Sequence, residues 1–525
     1  MTINYSDASI MNNSLSKGLD LISGNTLLLK GKKVPLLCGE VHFFRMDPEV
    51  WEPCLKQVKN LGLPIVSTYL SWYRFSTGPG QYDLEGVTNP RLNVRKFLDL
   101  CSKYDLYVTI KPGPWICAEE TNGGYPEWLV QIRDAQVLDS QAQPVKGYNY
   151  PFQSPIPSYF HPEYQKHVGQ WLKSVDDVIK DYCYPNGPII LMQLDNEPCF
   201  TFHDRMFESD YNSVISKPGG LYSQWLEEKY QSVEELNTVY GTQLQDFTTI
   251  TPPRELELGR MKEIARFMDW VEFKENLFAR HVSSIGQHHL NNGIDEVLFT
   301  INCNLHPQLA TPNNWDYLEK ASGIGGYDYY PMLPMDFENF VDVVKAVNYS
   351  RSVNRIVWSP EIMTGIWSFA NQEHRGNELK SSEFEYLYLT CLAYGLKGMN
   401  FYMLADRDNW VNSPINTRGQ MSETADSVKK TIQIMQSIPN FYDFQVEQLV
   451  GVLYYRPYAR EAFIVNENPK TIDGYSLGKA YQDFDNVYSN LIGENVNAGI
   501  FYPNINTEYI SRFKVLVAPY IRFMY

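Results

Sequence analysis

The chain has 525 residues, a formal net charge of −16 and an apolar content of 44%, with 11 Trp, 37 Tyr and 26 Phe. That length exceeds one ordinary domain and suits a large barrel with a smaller companion, while the acidic balance excludes nucleic acid and anionic membrane as partners, because both need basic patches. The eight cysteines show no CxxC or metal spacing, the N-terminus lacks the basic start and apolar core of a signal peptide, and no run reaches the roughly 18 apolar residues of a membrane span, so a soluble cytoplasmic protein with free thiols and no metal is expected.

Eight apolar, β-rich runs alternate with helical stretches, at residues 34–39, 64–69, 106–111, 188–195, 296–301, 323–328, 355–360 and 398–403. Strand and helix alternating eight times predicts an α/β fold, a (β/α)8 TIM barrel over residues 1–445. The helix after the first run is the clearest: Pro48 near its start, Trp51, Leu55, Val58 and Leu61 at helical spacing, and Gly62 at its end. After the fourth run comes a long excursion, about 198–295, containing a helical segment (LYSQWLEEKYQSVEELNTVYGT). An insertion there sits above the barrel mouth and can wall a cleft, which the abundant aromatic rings suit.

Around residue 440 the pattern resets. VEQLVGVLYYRP, GKAYQDFDNVYSNLIGENV, NAGIFYP and FKVLVAPY read as strand, helix, strand and strand, the beginning of a three-layer α/β domain over 446–525. The last strand leaves no room for its helix, so the sequence is expected to stop inside this domain.

The chemistry concentrates at strand ends. GPIILMQLDNEP buries Ile189 to Leu194 and then presents Asp195, Asn196 and Glu197, and RIVWSPEIMTG presents Glu361 after the seventh run. The mouths of strands four and seven face each other across a closed barrel, so the two glutamates can converge. Two facing carboxyl groups suit glycoside hydrolysis, one protonating the leaving oxygen and one attacking the anomeric carbon, with one pKa raised and the other left low. For retaining chemistry they should stand about 5 Å apart. Asn196 can donate an amide hydrogen bond to a substrate hydroxyl beside the acid. The competing reading makes Glu197 a helix-start carboxylate and Glu361 a solvated loop residue; a carboxyl at each of two facing strand ends outweighs it.

A third cluster, YVTIKPGPWICAEETNGGYPEWL, adds Cys117, Ala118 and Glu119 after a rigid non-helical turn made by Lys111, Pro112, Gly113 and Pro114. Glu119, if ionised, can accept two sugar hydroxyls; alternatively it forms a surface salt bridge. Tyr69, Tyr330 and Tyr402 end or follow strands two, six and eight, where a tyrosine is more often packing than ligand. His42 and His306 lack triad partners and metal spacing and read as ordinary mouth or core residues. Arg45 either orients a carboxylate or pairs on the surface, and Cys117 has no His and Asn motif that would make it a nucleophile.

CGEVHFFRMDPEVWEPCLKQVKNLGL, STYLSWYRFSTGPGQYDLEG, IKPGPWICAEETNGGYPEWL, GPIILMQLDNEP and SPEIMTGIW, in that order across roughly residues 30–410, resemble the signature segments of glycoside hydrolase family 35 β-galactosidases of clan A. The resemblance implies a retaining exo-glycosidase without cofactor, with Glu197 as acid/base and Glu361 as nucleophile, and with Tyr69, Cys117, Ala118, Glu119, Asn196 and Tyr402 holding a terminal galactose of an oligosaccharide or glycoside. Tyr330 matches a tyrosine segment more similar to family 42. The chain departs from the family at two loops: Trp72–Thr77 stands where a Trp-Asn-x-His-Glu-Pro run is usual, and Ala405–Asp408 where a Gly-Gly-Thr-Asn run is usual. The SWYRF segment, the insertion helix and the second domain resemble family 42, whose amidotransferase-like (flavodoxin-like) domain implies assembly into a homo-oligomer, a dimer or trimer; packing against the barrel is the alternative. Archaeal exo-β-glucosaminidases related to family 35 carry aspartate before the acid, which can pair with a 2-amino group, whereas Asn196 favours a neutral 2-hydroxyl. The expectation is therefore a β-galactosidase; an exo-β-glucosaminidase or other β-glycosidase, and a catalytically silent carbohydrate-binding protein, are the rivals.

Overall fold

The computed structural model describes residues 17–147, 154–198, 206–304, 313–368, 379–465, 470–472, 474–503 and 507–519. Eight parallel strands form the central sheet: β1 Leu37–Glu40, β2 Ile65–Tyr69, β3 Tyr107–Lys111, β4 Ile189–Gln193, β5 Leu298–Asn304, β6 Ile324–Asp328, β7 Trp358–Met363 and β8 Gly398–Tyr402. Their order is β6-β5-β4-β3-β2-β1-β8-β7. The two ends of that order meet at a parallel bridge between Tyr329 and Ile362. There the Tyr329 N–H donates to the Glu361 carbonyl at 2.8 Å and the Met363 N–H to the Tyr329 carbonyl at 3.0 Å, so the sheet closes into the expected barrel.

Helices α1 Pro48–Asn60, α2 Val94–Lys103, α3 Pro162–Ile179, α4 Ala265–Asn291, α5 Trp315–Ser322, α6 Phe337–Val353, α7 Ser381–Ala393 and α8 Ala425–Ser437 run between or after these strands. In α1 Pro48 occupies the first turn, where no N–H is needed, and Trp51, Cys54, Leu55 and Val58 form the buried face. The insertion adds Leu221–Tyr230 and Val233–Tyr240 ahead of the 27-residue α4.

Two strand boundaries are shifted beside prolines and a third by a left-handed turn. The first run was expected from residue 34, but Lys32–Val34 pairs with Thr26–Leu29 in a small antiparallel sheet, and Pro35, which cannot donate to a ladder, separates it from β1. The seventh run was expected to end at 360; β7 instead starts at Trp358 and continues to Met363, with a register shift between Ser359 and Ile362 where Pro360 interrupts the pairing with β8. Glu361 therefore lies within the strand, inside the bulge. β4 stops at Gln193, two residues short of the expected end, because Asp195 turns into the left-handed region at φ 67°.

The barrel has an apolar floor and a polar mouth. Leu27, Leu29 and Val34 of the small sheet pack with Cys38, Ile65, Ile190, Leu191, Leu298, Ile324 and Trp358 from the barrel strands and close its lower end. At the opposite, C-terminal ends of the same strands stand Glu40, Lys111, Gln193, Asn302, Asp328 and Glu361, all buried.

Beyond residue 446, β9 Val450–Leu453, β10 Ala498–Phe501 and β11 Val515–Val517 form a parallel sheet in the order β10-β9-β11, with α9 Arg456–Val465 and α10 Lys479–Gly493. This unit meets α4 and α6 through polar contacts. Arg460 pairs with Glu275 at 2.7 Å and Glu272 at 2.9 Å, Lys345 with Asp485 at 2.9 Å, and Arg456 donates to the Tyr349 hydroxyl at 2.6 Å. Among the described residues no helix is long and apolar enough to cross a membrane.

Candidate active site

Glu361 faces three donors. Its Oε1 accepts from the Tyr69 hydroxyl at 2.6 Å and from Lys111 Nζ at 3.2 Å, and its Oε2 accepts from the Tyr330 hydroxyl. Lys111 closes β3; its Nζ also lies 2.9 Å from Glu40 Oε2 and 4.4 Å from the centroid of the Tyr69 ring. Burial alone would lower the Lys111 pKa, but Glu40 and Glu361 outweigh it and hold the ammonium charged. Burial pushes the Glu361 carboxyl up, while Lys111, Tyr330 and Tyr69 draw it back. Glu40, although buried, is held below the ordinary carboxylate range by Lys111 and His42.

His42 has a plainer role. Its Nε2 is 3.2 Å from Glu40 Oε1, and its ring packs edge-on against Tyr69 and Tyr402 at 5.5 and 5.8 Å. Burial pushes its pKa down to about 3, so the ring is neutral and serves as packing in the mouth. His306 lies outside the described residues.

Glu197 is delivered by a left-handed turn, with Asp195 at φ 67° and Glu197 at φ 40°. Asp195 anchors the turn: its Oδ1 accepts the Trp115 N–H and its Oδ2 meets Nε2 of His281 on α4, both at 2.8 Å. A chain of donors then fixes the amides. The Glu197 N–H donates to Asn302 Oδ1 at 3.0 Å, so Asn302 Nδ2 must face the other way, where it donates to Asp328 Oδ2 at 2.8 Å and Asn196 Oδ1 at 2.7 Å. Asn196 Oδ1 is thereby an acceptor, and the Tyr69 hydroxyl also lies against it, its one proton serving either Asn196 or Glu361. Its Nδ2 has no partner among the described residues and is free to donate into the mouth.

The Glu197 and Asp328 carboxyls are close enough to influence each other's proton. Burial, then the neighbouring Glu361, push the Glu197 pKa up to about 8, and burial with Glu361 and Glu197 pushes Asp328 well above the usual range. Tyr69, Tyr330 and Tyr402 are pushed well above their ordinary value by burial and remain donors. Both carboxyls of the pair are raised, but their surroundings differ: burial and Glu361 lift Glu197 to about 8, whereas Lys111, Tyr330 and Tyr69 oppose the rise at Glu361 and favour its ionised form.

Cys117, Ala118 and Glu119 occupy the left-handed region in succession, at φ 50°, 47° and 47°. Such a conformation costs roughly 1–2 kcal/mol per residue and needs outside support. Arg45 supplies part of it, donating from Nη2 to the Ala118 carbonyl at 2.8 Å. The Gly123 carbonyl accepts the N–H groups of Ile116 and Cys117 at 2.9 and 3.2 Å. Gly123 is itself at φ 62°, and a Cβ there would lie 1.8 Å from the Trp115 ring, so only glycine fits. The Cys117 thiol, pushed up by burial and by Glu197 and Glu119, is not a nucleophile. Arg45 is no surface residue: with its side chain 1% exposed, it lies between Ala118, Glu120 at 3.2 Å and Asp408 at 2.7 Å. Glu119 is ion-paired, with Arg407, whose Nη2 also donates to the Tyr402 hydroxyl at 3.1 Å.

All nine residues singled out from the sequence (Tyr69, Cys117, Ala118, Glu119, Asn196, Glu197, Tyr330, Glu361 and Tyr402) thus line one mouth. Sequence reasoning missed Glu40, Asn302 and Asp328, took Lys111 only for its turn, and saw Arg407 only as part of a departing loop. The common signal was available: each of the first four is a polar residue in the C-terminal half of an apolar strand. Among the described residues no cluster of His, Cys, Asp or Glu could hold a metal.

The model of "Glycosyl hydrolases family 35" matches residues 26–148, so the likeness to that family seen in the motifs holds for this part of the chain. "Exo-beta-D-glucosaminidase" of Thermococcus kodakarensis is 27% identical over 83% of this chain and 56% of its own length. "Beta-1,2-glucosyltransferase" of Ignavibacterium album is 26% identical over 81% and 60%, and "Probable beta-galactosidase 2" of Dictyostelium discoideum is 33% identical over 33% and 20%. The chain therefore spans little more than half the length of the first two. A solved β-galactosidase from Bacillus circulans sp. alkalophilus shares the fold, with TM-score 0.67 at 14% identity over 92% of this chain and 67% of that one.

Proposed function

We propose that the barrel is the catalytic part of a retaining exo-acting β-glycosidase. Glu361 attacks the anomeric carbon as the bond to the leaving oxygen breaks, and Glu197 gives that oxygen its proton. Water then loses a proton to Glu197, attacks the same carbon and releases Glu361. The observation that carries this reading is the contrast within the pair: Lys111, Tyr69 and Tyr330 converge on Glu361, while Glu197 is pushed up to about 8. Terminal β-galactose is the sugar proposed. Its support is the set of residues matching the family 35 motifs, together with Asn196, whose free amide donor suits a 2-hydroxyl and repels a 2-ammonium.

The second reading is an exo-β-glucosaminidase. Asp328 favours it, because Asn302 holds a carboxyl next to Asn196 at a site where the chain itself supplies no aspartate before the acid. Turnover of nitrophenyl β-galactoside, β-glucoside and β-glucosaminide by wild type and Glu361→Gln decides among these. Galactoside turnover that Glu361→Gln abolishes supports the first reading, and glucosaminide turnover without it replaces galactose by glucosamine. Wild type no more active than Glu361→Gln on any of them leaves a binding protein.

A further inference from the structure

The two loops that depart from the family 35 pattern meet in space. Arg74, from the first, pairs with Asp408, from the second, at 3.4 Å, and both belong to one lattice with Arg45 and Glu120. Asp408 closes on Arg407 as well, its carbonyl accepting from Arg407 Nη1 at 2.7 Å. The guanidinium of Arg407 is then fixed from both sides, 6.0 Å from the centroid of the Tyr402 ring and 5.7 Å from that of Trp410, and Trp410 is held in turn by donating from Nε1 to the Thr364 carbonyl at 2.9 Å. The departures are one device, and its working end is Arg407 on the Glu119 carboxylate.

That placement changes what Glu119 can do. A free carboxylate at the mouth has about four lone-pair sites and can accept two neighbouring sugar hydroxyls. Here Oε2 is engaged by Arg407 Nη2, which leaves Oε1 as the oxygen open to the sugar, and the guanidinium brings a charged, planar set of donors where the family pattern has a threonine hydroxyl. Arg407 is 5% exposed and stacked, so it cannot swing aside without breaking contacts with Glu119, Tyr402 and Trp410.

We propose that Arg407 is a specificity-determining residue, which, by occupying one oxygen of Glu119 and adding donors of its own, sets which epimer of the terminal sugar the mouth accepts. The inference rests on the glycosidase reading for the position of the sugar, but its test does not rest on turnover. Calorimetry with deoxynojirimycin and its galacto epimer, which differ only at the 4-hydroxyl, gives a Kd ratio for wild type, Arg407→Ala, Arg407→Lys and Asp408→Asn. Arg407→Ala is expected to move that ratio by tenfold or more. Arg407→Lys, which keeps the charge and loses the planar fork, should move it part of the way. Asp408→Asn loosens the lattice with Arg407 still present and should leave the ratio within about twofold. Equal weakening of both epimers in Arg407→Ala, or failure of wild type to bind either, overturns the proposal. Epimer-selective binding that depends on Arg407, in a wild type without hydrolytic activity, counts against the glycosidase reading alone.

Discussion

At the seam between the barrel and the C-terminal sheet, three buried or half-buried carboxyls each have a cation in contact: Glu275 has Arg460, Glu272 has Arg460 and Lys229, and Asp485 has Lys345. At the mouth, Glu40, Glu119, Glu197, Asp328 and Glu361 share Lys111 and Arg407, and among the described residues no cation touches Glu197 or Asp328. The difference is clearest between Glu272 and Glu197, although burial still raises Asp485 despite Lys345. Burial would raise Glu272, but Arg460 and Lys229 hold it below the usual range, whereas Glu197 rises to about 8. Carboxyls supplied with counter-charges fasten the fold; carboxyls crowded together without them must share protons, which acid catalysis requires.

The sharpest test of this contrast is activity. Glu197→Gln and Glu361→Gln should each lower kcat/KM on the best nitrophenyl glycoside by roughly 10⁴-fold, while Arg460→Met should leave it within about twofold. Comparable losses in all three would erase the distinction between mouth and seam. Lys111→Met and Arg460→Met, by contrast, should look alike in denaturant unfolding. Each strands buried carboxylates and should cost about 3–5 kcal/mol. Only Lys111→Met should also move the acidic limb of the pH–rate profile upward, because Glu361 loses the charge that draws its pKa back.

A third measurement follows the raised acid. A carboxyl lifted from 4.5 to about 8 holds its proton more tightly in the folded chain than in the unfolded one. Its contribution to stability is full below the unfolded value and is lost as the pH climbs through that window. Activity should accordingly fall on a basic limb near pH 8, and Glu197→Gln should gain on wild type in Tm, by on the order of a few °C, between pH 5 and 8. A constant difference would mean that Glu197 ionises normally. The smallest effect belongs to the lattice rim: Arg74 and Asp408 are 30% and 51% exposed in their side chains, and a double-mutant cycle between them should yield about 0.5 kcal/mol.

The barrel was legible because its strands are buried on both faces and read as apolar runs. The proposed catalytic pair was legible because each glutamate stands at the end of such a run. Lys111 and Asp328 were harder, since a charge at the end of VTIK or within GYDYYP looks like a solvent-facing stop signal, and only closure of the barrel turns those ends toward one another. The Arg407–Glu119 pair was beyond reach: its partners are 288 residues apart, and nothing local in either loop names the other. The boundaries around Pro35 and Pro360 slipped because an apolar run does not reveal which of its residues lack a ladder partner.

The closing bridge at Tyr329 and Ile362 has a consequence for assembly. The sheet is joined between the consecutive strands β6 and β7, the two ends of its hydrogen-bonded order, at the residue pair beside Glu361, with Tyr330 one step away. A barrel with every other neighbour in place but this seam open would have most of its core and an unoriented Glu361. Slow hydrogen exchange at the Tyr329 and Met363 amides is thus a direct gauge of a finished site, and a chain that opens there first would be silenced well before it melts.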